Sequence, residues 1–335
     1  MLRPKFLKDN GTIAIVSPSS SISAFPRRMG RGVRELEKLN YSVMFMPNAL
    51  HSRGRNGPSP EEKAEDIMSA VCNESVDLVM ASTGGYTSNT VLDLLDFEVI
   101  ARSLKIFVGF SDASSLLLAV SKKSNLICFH GPTLLPSFGR PNGVEHETLE
   151  SFLDLVKGVT SSQNLLHTFS RYSEDNLLWD RDDDHSNFFA DHGPIAIRGG
   201  VAEGRTIVSN LDSLISLLPT EYCPQFTGAI LFIEEAGSTT SKTIRNITTL
   251  EQAGVLDKIA GLVVGRTYKY DDDGHPFSVD AYWEQLSQKY NIPMVIRVPF
   301  GHTEPKLTIP VGALAILDAD KPSLKLLENC VSVSH

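Results

Sequence analysis

The chain has 335 residues, enough for two domains with a proper core each, and its 41% apolar and 21% charged residues are ordinary for a globular protein. A net charge of −9 argues against nucleic acid or an anionic membrane as the main partner, though not against a nucleotide-like small molecule. No apolar run approaches the roughly 18 residues of a membrane span, and no apolar segment precedes a small-residue cleavage site at the N-terminus, so a cytoplasmic protein is expected.

The first 130 residues alternate between two periods. "TIAIVS" (12–17) reads as a buried strand, and "FPRRMGRGVRELEKL" then sets Met29, Val33 and Leu36 on one helical face. "YSVMFMP" (41–47) is the next strand. In "SPEEKAEDIMSAV", Ser59 is an N-cap, Pro60 the first helical residue and Glu62 the capping-box partner. "VDLVMAS" (76–82), "KIFVGF" (105–110) and "LICFH" (126–130) complete a set of about five strands. Near-continuous apolar strands with helices between them predict a parallel, Rossmann-like or flavodoxin-like sheet covered on both faces. Ligands of such sheets bind beyond the carboxyl ends of the strands. Here those ends are "SPSS" (17–20), "STGGYTSN" (82–89) and "GFSD" (109–112), all rich in Ser, Thr and Gly.

The character changes over 161–196, which has little periodicity, several breakers and an acidic run at Asp180, Asp182, Asp183 and Asp184. It reads as an interdomain connection with an ordered loop, the acidic run being a solvated face. A second, smaller domain over 197–335 follows the first (1–160). "VAEGRTIVSN", "GAILFIEEA", "AGLVVGRT", "PMVIRVPFGH" and "GALAILDAD" are its strands, and "LDSLISLL" and "TSKTIRNITTLEQAG" its helices, with Gly254 as a C-cap. Strands outnumber helices, so this half is mixed α/β. The four cysteines (Cys72, Cys128, Cys223, Cys330) have neither CxxC nor metal-ligand spacing and fit unpaired thiols in a reducing compartment.

Ser111 sits where a strand ends and a helix begins. A serine there is commonly an N-cap. Two details point further: Asp112 supplies a second capping-type residue where one suffices, and Gly109 clears space beside the turn. The junction is like a nucleophile elbow, with an oxygen at the positive end of a helix, although Ala113 breaks the GxSxG pattern. "STGGYTSN" can bare an amide for an oxyanion, or simply turn; there is no GxGxxG or GxxxxGK[ST] for a phosphate. A serine nucleophile needs a base. Of nine histidines, His130 and His302 end predicted strands, whereas His51, His146, His167, His185, His192, His275 and His335 lie in polar or terminal segments. Glu234 and Glu235 close an apolar strand, where a carboxylate needs a partner.

"GFSDASSL", "STGGYTSN", "ILFIEEAG" and "FGHTEPKLTIPVG", in this order along nearly the whole chain, resemble the LD-carboxypeptidase family of serine peptidases. The branch of microcin C self-immunity peptidases is most similar, through "HGPTLLPSFG", "GGYTSN" and "GHTEP". The resemblance implies a Ser111–His302–Glu234 triad straddling two domains, with the oxyanion held by the amides of Gly85 and Asp112. It implies substrate contacts from Gly84, Tyr86, Trp179 and Asn210, no metal or cofactor, and a homodimer acting on a small molecule. Murein-recycling members, which release a terminal D-alanine, carry an arginine before the GG turn; here that position is Thr83. The immunity branch cleaves the amide joining an aminoacyl or peptidyl group to a nucleotide analogue and stacks loop tryptophans on the base. Trp179 resembles one of these, and Phe188 stands near the place of the other. A non-catalytic binding module, with Ser111 capping and Gly85 turning, is the alternative of another class.

Overall fold

The five apolar runs of the first half fold as β1 (Thr12–Val16), β2 (Ser42–Phe45), β3 (Leu78–Ala81), β4 (Ile106–Gly109) and β5 (Cys128–His130). Between them run α1 (Pro26–Lys38), α2 (Pro60–Cys72), α3 (Phe97–Ser103) and α4 (Ser114–Ser124), and α5 (His146–Lys157) follows. The structure is a computed structural model that describes residues 1–51, 57–158, 164–174, 179–183 and 185–332. Every residue of β3, β4 and β5 is buried, which is why these strands are apolar throughout rather than alternating. They pair in parallel in the order β5-β4-β3-β1-β2. The expected capping box is present on α2: Ser59 Oγ accepts from the Glu62 amide at 3.3 Å, and the Glu62 carboxylate accepts from the Ser59 amide at 2.8 Å.

The second half begins with a two-stranded ribbon, β6 (Arg171–Tyr172) and β7 (Phe189–Ala190). Then come β8 (Ile195–Arg198), β9 (Val201–Asn210), α6 (Leu211–Leu217), β10 (Ile230–Glu234), α7 (Thr240–Gln252), β11 (Gly261–Gly265), α8 (Val279–Lys289), β12 (Met294–Val298), β13 (Ile309–Val311), β14 (Leu314–Asp318) and β15 (Ser323–Leu326). Seven of these strands form a sheet in the order β15-β14-β9-β10-β11-β12-β8. Its centre, β9 to β12, is parallel, and β8, β14 and β15 add antiparallel edges, so this half is mixed α/β. Gly254, at φ 64°, takes the left-handed conformation that stops α7.

One strand crosses between the halves. β13 pairs antiparallel with β5, Ile309 opposite His130, and so completes the first sheet as its sixth strand. Helix α4 also touches both halves, packing on β4 and β5 and on β9 and α6. The carboxyl ends of the two parallel sets are thereby held against each other, which is where a site shared by both halves must lie. No helix among the described residues is long and apolar enough to cross a membrane.

The acidic run is a solvated face only in part, for Asp180 and Asp183 are held by helix α1. Helix α1 has Phe25 at its N-cap position and no cap of its own. Asp180 supplies one, its carboxylate accepting from the amides of Arg27 (2.6 Å) and Arg28 (2.7 Å). Asp183, with a side chain 3% exposed, lies 3.1 Å from Arg28 Nη1 and also pairs with Arg31. Asp182 is exposed, and Asp184 lies outside the described residues. Burial pushes the Arg28 guanidinium down to about 10, with Asp183 opposing the shift. Asp183→Asn leaves this buried cation without its counter-charge and is expected to destabilise the fold by about 3–5 kcal/mol in urea unfolding. Asp182→Asn, on the exposed side of the same loop, is expected to change stability by less than about 0.5 kcal/mol.

Candidate active site

Ser111 is presented by a tight strand-to-helix passage. β4 ends at Gly109, Phe110 is extended, and Ser111 itself has φ 60°, a left-handed backbone uncommon for any residue but glycine. A single 3₁₀ turn over Ser111–Ala113 then leads into α4. Space is cleared on two sides. A Cβ on Gly109 would lie 3.0 Å from the Ala113 Cβ, and one on Gly84 would lie 2.8 Å from both Cβ and Oγ of Ser111. The hydroxyl caps no helix, since the first turn of α4 has no side-chain cap. Its Oγ lies instead 3.0 Å from His302 Nε2.

His302 follows β12 on a short loop, and its Nδ1 lies 2.6 Å from Glu234 Oε2. A carboxylate there holds the proton on Nδ1 and leaves Nε2 free to accept one. Glu234 is the last residue of β10 and pairs in register with Asn210, the last residue of β9. That register brings Asn210 Nδ2 to 3.0 Å from Glu234 Oε1, while Asn210 Oδ1 caps α6 through the Asp212 and Ser213 amides. Two glycines make room for the carboxylate: a Cβ on Gly301 would sit 2.5 Å from Glu234 Oε2, and one on Gly265 would sit 2.7 Å from Glu234 Cβ. Burial alone would raise the Glu234 carboxyl, but His302, His130 and the Asn210 amide outweigh it and hold it below the usual carboxylate range. Glu235, one residue on, bonds Ser238 and Thr243 and is pushed up by burial. The structure thus gives two adjacent carboxylates different partners and different charge tendencies.

The GG turn closes the other side. Gly85 lies against Ser19 and Ser20, whose hydroxyls occupy the place of any Cβ. Thr87 donates its amide to Ser19 Oγ (3.2 Å), and the buried Lys63 ammonium donates to Thr87 Oγ1 (3.1 Å). Ser88 donates its amide to Asp112 Oδ2 (2.8 Å) and its hydroxyl to the Asp112 carbonyl. The Asp112 side chain therefore fastens this turn to the turn that carries Ser111. Gly84 and Gly85 are half-buried, and Tyr86 projects from the same turn at 94% exposure. The roles of Ser88 and Lys63 escaped the sequence reading; "TSN" after the glycines was the only cue.

The remaining candidates separate. His130 is fully buried in β5, edge-on to Phe110 and Phe300, and bonds neither Ser111 nor Glu234. His51, His146, His167, His185 and His192 are exposed, His275 is half-buried, and His335 lies outside the described residues. Trp179 packs on α1, edge-on to Phe25 at 5.2 Å with the Arg28 guanidinium 4.6 Å from its ring. Phe188 lies elsewhere on the connection, under the Arg171 guanidinium at 4.1 Å.

Comparison with known proteins places the chain in a family. Residues 13–131 match the LD-carboxypeptidase N-terminal domain, and residues 203–317 match the LD-carboxypeptidase C-terminal domain. The microcin C7 self-immunity protein MccF of Escherichia coli is 28% identical over 335 residues, covering 96% of this chain and 94% of that protein. The structure of MccF in complex with aspartyl sulfamoyl adenosine superposes with a TM-score of 0.91 at 26% identity, covering 99% of this chain and all of the other. Muramoyltetrapeptide carboxypeptidase from Oxalobacter formigenes superposes with a TM-score of 0.75 at 27% identity, over 94% of this chain and 97% of the other. With both halves of the family matched in order, the chain belongs to the LD-carboxypeptidase family and is a serine peptidase or amidase of that family.

Proposed function

We propose that the protein hydrolyses an amide bond between an aminoacyl or peptidyl group and a nucleotide analogue, with Ser111 as nucleophile. The observation that supports this most is the relay of short contacts from Glu234 through His302 to Ser111, 2.6 Å and 3.0 Å long. Ser111 Oγ attacks the scissile carbonyl carbon while its proton passes to His302 Nε2. The amides of Gly85 and Asp112 receive the oxygen that becomes negative. When the C–N bond breaks, His302 returns the proton to the leaving nitrogen, and water then releases the acyl group by the same route. Glu234 remains ionised throughout and stabilises the imidazolium. This chemistry needs neither metal nor cofactor, so activity persists in EDTA. The working form is a homodimer in a reducing cytoplasm.

The substrate class rests on two features. MccF, solved with aspartyl sulfamoyl adenosine, is more similar in structure than the muramoyltetrapeptide carboxypeptidase. Thr83 also departs from the arginine that the resemblance leads one to expect before the GG turn of a murein-acting member. In this reading Trp179, backed by Phe25 and Arg28, is the platform for the base, Tyr86 and Gly84 line the acyl side, and Asn210 supports Glu234 beside the substrate. The test is a parallel assay of aspartyl sulfamoyl adenosine and a murein tetrapeptide with wild type and Ser111→Ala. Serine-dependent release of the adenosine moiety is expected. Serine-dependent release of D-alanine alone would move the protein to cell-wall recycling, and turnover of neither would return the binding-module alternative.

A further inference from the structure

The connection from β1 to α1 reaches two places at once. Its Ser19 packs against Gly85 of the GG turn, and its Phe25 meets Trp179 edge-on, with ring centroids 5.2 Å apart. Helix α1 starts at the carboxyl end of β1, on the same edge of the parallel sheet that presents Ser111. Trp179 is therefore fixed to the edge that bears the site by α1, although it belongs to the connection between the two halves.

The attachment is built from three neighbouring positions. Asp180, directly after Trp179, caps α1 from outside. Its carboxylate accepts the Arg27 and Arg28 amides, and its carbonyl accepts from Arg27 Nη1 at 3.4 Å. The backbone of Asp180 is left-handed, with φ 64°, a bend that aspartate and asparagine tolerate better than most residues and that persists where partners hold it. Asp183 pairs with the Arg28 guanidinium, and the Leu135 carbonyl accepts from Arg28 Nε at 2.8 Å. The same guanidinium stands 4.6 Å from the centroid of the Trp179 ring. Arg28, itself buried, thus meets residues 179, 180 and 183 together, through its amide and its guanidinium. A stacking platform held in this way adds affinity, because the cost of ordering a large side chain and its loop is otherwise subtracted from binding.

We propose that Asp180 is a positioning residue for nucleotide binding: by capping α1 it holds Trp179 in place before the ligand arrives, with the Arg28 guanidinium behind the ring and the opposite face left for the base. The inference rests on Trp179 being the platform for the base, and does not depend on Ser111 being the nucleophile.

The test measures binding of adenosine monophosphate to wild type, Trp179→Ala, Asp180→Ala and Asp180→Asn by calorimetry, together with acrylamide quenching of tryptophan emission. The chain has two tryptophans, and Trp283 is 2% exposed, so the readily quenched emission is that of Trp179, with Trp179→Phe as the blank. Trp179→Ala is expected to weaken binding about tenfold or more. Asp180→Ala keeps the ring and removes its fastening, so binding is expected to weaken about threefold to tenfold and the quenching constant to rise. Asp180→Asn keeps an acceptor for the α1 amides and a residue that tolerates the bend, and is expected to recover most of both. A cap that served stability alone would lower the unfolding midpoint and leave the affinity of the folded protein unchanged. Wild-type affinity in Asp180→Ala, with Trp179→Ala weakened, overturns the proposal and leaves the platform reading standing. If Trp179→Ala binds as tightly as wild type, or wild type does not bind, it is the platform reading that fails. The quenching then decides the fastening by itself: a raised constant in Asp180→Ala supports it and an unchanged one overturns it. Should Asp180→Ala not fold, Asp180→Gly, which accepts the bend but offers no side-chain acceptor, takes its place in every comparison.

Discussion

Ser111→Ala is expected to lower kcat by about 10⁴-fold to 10⁶-fold while leaving the unfolding midpoint within about 2 °C of wild type. Among the described residues the hydroxyl makes one hydrogen bond, with His302 Nε2, so removing it strands no other buried group there. His302→Ala is expected to cost as much, because among the described residues Ser111 then has no hydrogen-bonded acceptor for its proton. Glu234→Ala acts one bond further away, by releasing the imidazole from its tautomer and orientation, and is expected to cost somewhat less. It also opens space between Gly265 and Gly301 and frees the Asn210 amide, so its stability loss is larger than that of the other two. The decisive comparison is the triple variant. If the three residues work as one unit, its kcat matches that of Ser111→Ala alone rather than the product of three losses. Steady-state kinetics on all four proteins, with circular dichroism to establish folding, reads this out.

The second large effect is expected at Asp112. Its carboxylate accepts the Ser88 amide at 2.8 Å, and its charge lies in the field of the buried Lys63 ammonium, which in turn bonds Thr87. Both halves of the proposed oxyanion hole depend on that link, since the Gly85 amide sits on one turn and the Asp112 amide on the other. Asp112→Ala removes the acceptor of the Ser88 amide and loosens the first turn, which keeps the Ser88 hydroxyl bond to the residue-112 carbonyl, while leaving the second amide in place. A kcat loss of about 10-fold to 100-fold is expected, less than the roughly 10²–10³ of deleting an oxyanion donor outright. KM should change little if the turn acts on the transition state rather than on ground-state binding. Asp112→Asn keeps an oxygen acceptor for the Ser88 amide and is expected to retain most of the activity. Equal losses in the two variants would assign the effect to charge and not to the bond.

The doubly wound half was legible because burial on both faces leaves a plain mark, unbroken apolar strands such as β3 alternating with capped helices such as α2. The mixed half was legible as a class, from its excess of strands, but not in its pairing. Nothing in "LTIPVG" tells that β13 leaves its neighbours and joins β5, far earlier in the chain, because strand partners are chosen by tertiary packing rather than by local pattern. Ser111 carried two readings in sequence, and its left-handed backbone, which distinguishes a presented hydroxyl from a cap, has no sequence signature in a serine. The acidic run misled for a similar reason. Asp180 and Asp183 find their partners on α1, at the other end of the first half, where an uncapped helix and a buried arginine wait for them. Glu304 and Lys306 stood in view within a quoted motif, yet a lysine beside a glutamate reads as a surface pair until its burial is known.

Every step of the proposed reaction depends on Ser111 being an activated nucleophile, and the most direct test of that does not require knowing the substrate. Wild type, Ser111→Ala and His302→Ala would be incubated with a fluorophosphonate at neutral pH and followed by intact mass and peptide mapping. A single adduct is predicted on wild type, mapped to Ser111, absent from Ser111→Ala and formed far more slowly in His302→Ala. An unmodified wild type, or an adduct that persists in Ser111→Ala, would contradict the assignment of Ser111 as the nucleophile.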